Sequence, residues 1–165
     1  MEINTHIRVF SQRSREINLR MTRQSKDLES IFSKLHSAMM GNHEEGFSEK
    51  AQTLAYEPVH VGEIEDADGQ GHVKGRCGDS MTIYLSVKDN HVENATFLTD
   101  GCGATLACGS SVTELLRGKT RLQASRIQAQ HVIRDLNGLP PSHTHCAVLA
   151  VQALKKALEA WHKNS

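Results

Sequence analysis

Five side chains in this sequence are suited to holding a soft metal or moving sulfur. They are Cys77, Cys102 and Cys146, with Asp79 shortly after the first thiol and His145 directly before the last. Thiolate is the form of cysteine that binds metals and attacks sulfur. Three thiolates with an imidazole and a carboxylate suit zinc, Fe(II) or an iron–sulfur cluster, and suit Mg²⁺ or Ca²⁺ poorly. The spacing does not name the metal, although the lack of a C-x-x-C pair argues against a zinc ribbon. Cys108, inside a helix-like run with no functional turn around it, reads as a small buried hydrophobe. An extra ligand or a resolving thiol is the competing reading of that residue.

Three ends of regular elements must position these groups. Cys102 sits in Asp100-Gly101-Cys102-Gly103, where glycine on both sides permits a sharp strand-to-helix turn and leaves the thiol uncrowded. A helix starting behind it favours an anion, through unpaired N–H groups and the macrodipole. Upstream, Met81, Ile83, Leu85 and Val87 alternate with polar residues as a half-buried strand. Lys88 to His91 make a turn, and 92–99 return as a second strand, so a hairpin ends at Cys102. Cys77 lies where one strand gives way to another. A helix over 104–117 stops at Gly118, one or two short helices fill 120–137, and Gly138 with Pro140-Pro141 ends them. The last helix begins near His143 or Thr144, and its apolar face runs Cys146, Leu149, Ala150, Ala153, Leu154, Ala157, Leu158, Trp161.

The N-terminal third is less regular. Residues 1–24 form a weak helix or loose tail whose arginines resemble a transit peptide, but Glu2 and Glu16 fall where such peptides avoid acids. Leu28, Ile31, Phe32, Leu35 and Met39 mark an amphipathic helix whose stripe is expected to pack on the domain or on a second copy of the chain. A linker follows, then a short helix over 48–56 stopped by Pro58. Residues 58–71 read as turn-rich around a short strand at Val59 to Ile64.

Composition bounds the partners. The 165 residues suffice for one domain with an appended segment. With 19 basic and 19 acidic residues, no charge excess points to nucleic acid or an anionic membrane. No long apolar run or secretory signal is found, so a cytoplasmic location with reduced thiols is expected. A dinucleotide fingerprint fails because Gly101-x-Gly103 lacks its third glycine and follows a hairpin. No catalytic Ser/His/Asp arrangement stands out, and adjacent His145 and Cys146 do not match a thiol hydrolase.

Three ordered motifs carry a resemblance. Gly75-Arg76-Cys77-Gly78-Asp79, Asp100-Gly101-Cys102-Gly103 followed by Ser110-Ser111-Val112-Thr113-Glu114, and Leu139-Pro140-Pro141 leading to His145-Cys146-Ala147-Val148-Leu149-Ala150 resemble the IscU/NifU family of iron–sulfur cluster assembly scaffolds. The likeness runs from Phe47 to Trp161. It implies an α+β fold, a three-stranded antiparallel sheet packed with helices, as a domain over 47–163 behind an N-terminal extension over 1–46. It also implies that Cys77, Asp79, Cys102, His145 and Cys146 bind a transient 2Fe–2S cluster, with zinc as the occupant of the cluster-free form. Its implied partners are a cysteine desulfurase and apo-acceptor proteins, with a homodimer as the candidate assembly. The protein is then a scaffold and carrier, not an enzyme.

The sequence departs from the family pattern at two places within that span. Typical members carry Val-Lys after Leu-Pro-Pro, in a loop bound by a dedicated Hsp70-type chaperone; Ser142-His143 stand here, which argues against that partner. The family's Asn-Pro segment reads Tyr56-Glu57-Pro58. The competing function is a zinc-dependent sulfur acceptor using the same cysteines, although zinc-binding relatives carry an insertion between the second and third cysteines that this chain lacks. A metal-stabilised adaptor and a Cys102–Cys108 disulfide switch are further alternatives.

Overall fold

The computed structural model describes residues 46–163. The amphipathic stripe of Leu28 to Met39 and the tail before it lie outside the described residues. Helix α1 (Glu49–Tyr56) begins at Ser48, whose hydroxyl accepts from the Ala51 N–H at 3.0 Å. That cap replaces one bond the first helical turn cannot make for itself. The same hydroxyl donates to the Leu136 carbonyl, and Lys50 pairs with Asp135 at 3.0 Å, so both ends of the contact are fixed.

Three strands form a meander, β1 (Gly69–Lys74), β2 (Ser80–Lys88) and β3 (His91–Thr99), antiparallel in the order β1-β2-β3. Met81, Ile83 and Leu85 of β2 and Ala95 and Phe97 of β3 are fully buried on one face, and Ile83 stands opposite Phe97. A two-residue turn joins β2 to β3, with Asp89 at φ +50° and Asn90 at φ +61°. Positive φ at both positions gives the turn the twist of the strands it joins, and Asp and Asn tolerate it best after glycine.

Two expectations for the stretch before β2 need correction. No strand spans Val59 to Ile64; the segment contributes a single bridge from Val61 to Phe97, with the Gly62 N–H donating to the Phe97 carbonyl at 3.0 Å. His60 at φ +61° and Gly62 at φ +149° break the extended conformation on both sides of Val61. The second concerns Gly69-Gln70-Gly71, which belongs to β1 rather than to a turn. Those glycines face the last helix so closely that a Cβ on Gly71 would lie 2.2 Å from the Ala157 nitrogen and 2.3 Å from the Ala153 oxygen.

The remaining helices cover the apolar face. They are α2 (Gly103–Leu116), α3 (Arg121–Ser125), α4 (Ala129–Asp135) and α5 (Thr144–Lys163), the last entered through a 3₁₀ turn at Pro141–His143. Helix α2 buries most of its length, including Ala107, Cys108, Val112 and Leu116. Thr120 and Gln123 cap α3 reciprocally, Gln123 N–H to the Thr120 hydroxyl at 3.3 Å and Thr120 N–H to the Gln123 side chain at 3.0 Å. Helix α5 lies along β1 with Cys146, Ala150, Ala153, Leu154 and Ala157 fully buried, so the predicted apolar stripe is the packed one. Among the described residues, no helix is long and apolar enough to cross a membrane.

Candidate metal centre

The strand ends and the start of α5 meet at one end of the sheet. Cys77 stands exposed at the tip of the β1–β2 turn. That turn closes through the Gly75 N–H on the Asp79 carbonyl at 2.7 Å, and Gly78 takes φ +93° within it. Cys102 is the N-cap of α2, exposed, with an extended backbone, while its carbonyl accepts the first helical bonds.

Asp100 binds these two turns together. Its carboxylate accepts from the Ser80 N–H at 2.5 Å, and the Thr99 hydroxyl donates to the Ser80 carbonyl at 2.6 Å. The bond from Ser80 holds the Asp100 carboxyl below the usual carboxylate range. Asp79 and Cys102, far apart in sequence, are thereby drawn towards the same side chain.

That side chain is Thr105, fully buried in the first turns of α2. Its hydroxyl oxygen lies 3.3 Å from Asp79 Oδ2, 3.5 Å from Cys146 Sγ and 3.7 Å from Cys102 Sγ. Cys146 is buried beneath it and also lies 3.6 Å from His145 Nε2. The exposed His145 and Cys77 line a cavity of about 590 Å³ with Arg76, Val148 and Gln152. Asp79, Cys102 and Cys146 thus converge on one hydroxyl, and Cys77 and His145 share the cavity beside them. Among the described residues, no three His, Cys, Asp or Glu side chains stand close enough together to hold one metal ion. The donor types fit a soft metal, but their arrangement is open.

Sequence reasoning assigned Thr105 no role, and Asp100 stood out only as part of the glycine-flanked cysteine motif. The available signal for Thr105 was its i+3 spacing from Cys102, which puts the two on neighbouring positions of a helix surface. Cys108 belongs to the core: it is fully buried, its thiol is held protonated chiefly by burial, and all four cysteines are free. Cys146 is equally buried but lies against Thr105 and His145, and that contact rather than exposure sets it apart from Cys108.

Burial pushes the Cys146 thiol up to about 11, with the Thr105 hydrogen bond opposing the rise and neighbouring Cys102 and Cys77 adding to it. The ordinary value is 9.0, so in the interval between the two the folded chain keeps a proton that the unfolded chain releases. The stability this contributes is complete below the unfolded value and is lost as pH rises through the folded one. We expect the melting temperature of the metal-free protein to fall more steeply across that interval than it does in Cys146→Ala. Parallel curves would remove Cys146 as a source of alkaline instability.

The family profile described as NifU-like N terminal domain matches residues 46–165. The chain belongs to the NifU-like N-terminal domain family. This NifU-like chain is 45% identical over 113 residues to a protein of Archaeoglobus fulgidus named iron-sulfur cluster assembly scaffold protein IscU 1, covering 68% of the chain and 74% of that relative. It is 34% identical over 116 residues to the scaffold protein IscU of Aquifex aeolicus, covering 68% and 74%. Among solved structures, a nitrogen-fixing NifU-like protein (N-terminal) from Brucella abortus superposes with a TM-score of 0.56 at 18% identity, covering 72% of this chain and 96% of that one. The three-stranded antiparallel sheet with packed helices is the fold expected from the sequence.

Proposed function

We propose that the chain is a scaffold on which an iron–sulfur cluster is built from iron and desulfurase-derived sulfur and then passed to apo-acceptor proteins. The observation that carries this reading is the meeting of Cys77, Asp79, Cys102, His145 and Cys146 at one end of the sheet, in a chain similar to proteins named as scaffolds. The cluster is cargo. A 2Fe–2S unit takes four terminal ligands, so three thiolates need a fourth from Asp79, His145 or a partner. A carboxylate is a hard partner for iron in thiolate company, which favours release over storage.

The exposed thiols are suited to receiving sulfur. A Cys77 or Cys102 thiolate attacks the outer sulfur of a desulfurase persulfide; a new S–S bond forms, the old one breaks, and the desulfurase cysteine leaves as thiolate. Cys146 is less accessible and holds its proton, so it serves by ligating iron, and each capture releases that proton. Among the described residues the donors do not form a closed set, so holding a metal requires them to draw together. The same donors support zinc in the cluster-free form, and residues 47–163 are the unit to which this function belongs.

Anaerobic reconstitution with ferrous iron, cysteine and a cysteine desulfurase tests the proposal. Equal iron and acid-labile sulfide with a visible charge-transfer band is the expected result. Stoichiometric zinc with no cluster, while persulfide accumulates on a cysteine, would replace it with the sulfur-acceptor reading.

A further inference from the structure

Helix α2 contains two buried threonines with different hydrogen-bonding partners. Thr113 donates back to the helix, to the carbonyls of Gly109 and Ser110 at 2.9 Å each. This is the ordinary outlet for a helical hydroxyl in a core. Thr105 instead bonds to Asp79 and Cys146 and lies beside the Cys102 sulfur. Its side chain is fixed against Gly101, where an added Cβ would lie 2.6 Å from the Thr105 oxygen and 2.8 Å from its methyl carbon. A β-branched side chain packed in this way has little rotamer freedom.

We propose that Thr105 is a positioning residue for the cluster ligands, its hydroxyl holding Asp79, Cys102 and Cys146 in register before iron arrives and donating a hydrogen bond to a ligand sulfur afterwards. The inference rests on the ligand set proposed above. A hydroxyl has one proton to give and two lone pairs that accept. While the thiols are protonated, Cys102 can donate to it, and its own proton goes to the Asp79 carboxylate or the Cys146 sulfur. Once iron displaces the thiol protons, the sulfurs become acceptors and the O–H has a charged partner within reach. A bond of this kind lowers the energy of the sulfur lone pairs. The sulfur-to-metal charge-transfer band then moves to shorter wavelength, and the cluster potential rises. Loss of an outer partner of this type weakens metal affinity by about 10–100-fold.

Anaerobic titration of the full chain with cobalt(II) chloride, read by near-ultraviolet and visible absorbance, needs no cluster assembly. Thr105→Val keeps the shape and removes the donor, whereas Thr105→Ser keeps the donor and removes a methyl group. We expect Thr105→Val to shift the sulfur-to-cobalt band to longer wavelength and weaken binding by about 10–100-fold, with Thr105→Ser close to the parent. Thr105→Ala against Thr105→Ser supplies the same contrast should the valine chain not fold. If the apolar variant matches the parent, or the serine variant is the worse of the pair, Thr105 only fills space and the inference fails. A parent band that Cys102→Ser and Cys146→Ser leave unchanged refutes the ligand set and this inference with it. A band that depends on those cysteines but ignores Thr105 refutes this inference alone.

Discussion

Gly71→Ala is expected to destabilise the domain by about 3 kcal/mol, the upper part of the range for overpacked sites. The added methyl would sit 2.2 Å from the Ala157 nitrogen, 2.3 Å from the Ala153 oxygen and 2.8 Å from the Lys156 carbonyl carbon. All three obstacles are backbone atoms of α5, and a helix backbone cannot swing aside as a side chain does. Either α5 moves away from β1 as a unit or the strand bends, and both open the core around Leu154 and Leu85. For a domain of this size the loss corresponds to a fall in melting temperature of roughly 10 °C. Gln70→Ala, at an exposed position of the same strand, should change stability by no more than about 0.5 kcal/mol. A Gly71→Ala chain that melts with the parent would disprove the close strand-to-helix approach. The consequence reaches the site, because α5 begins with His145 and Cys146.

The same glycines show where a sequence stops being legible. Strands β2 and β3 could be read because Met81, Ile83, Leu85 and Phe97 leave an alternating apolar trace. Strand β1 is buried at Gly69 and Gly71, which leave no such trace, and the contact they make is with a helix more than eighty positions later. Local composition therefore points to a turn, and tertiary packing decides otherwise. The supposed strand around Val61 failed for the opposite reason. Val59, Val61 and Ile64 are apolar enough for one, but His60 and Gly62 adopt positive φ and confine pairing to one residue.

The site divides along the same line. Cys77, Asp79, Cys102, His145 and Cys146 could be named because thiols, imidazole and carboxylate carry chemistry in their type and stood at element ends. Thr105 was not named, since its i+3 spacing from Cys102 is a weak signal and a threonine among small residues is ordinary in a helix. Its role arises only when the β1–β2 turn and the start of α5 deliver Asp79 and Cys146 to it. Nor did spacing reveal that the donors converge without closing into a metal-holding group.

Loss of a single matched thiol should abolish stable cluster loading, whereas loss of Cys108 should not. Cys77→Ser and Cys102→Ser each remove one of three thiolates from a site already short of a fourth, and serine oxygen is a hard, poorly ionised replacement. Loss of an outer partner alone costs roughly 10–100-fold in metal affinity, so loss of a direct ligand is expected to exceed about 100-fold. Iron and acid-labile sulfide retained after desalting should fall together to background, with the charge-transfer band. Both variants should keep the parent's melting temperature without metal, because both side chains are exposed and neither belongs to the core. Cys108→Ala provides the opposing case. Its thiol is fully buried and stands outside the contacts that gather Asp79, Cys102 and Cys146 on Thr105, so loading should match the parent while the melting temperature falls by a few degrees from the small cavity. Full loading in Cys102→Ser would remove the glycine-flanked cysteine from the ligand set, and failure of Cys108→Ala to load at a temperature where it is folded would add a thiol to it.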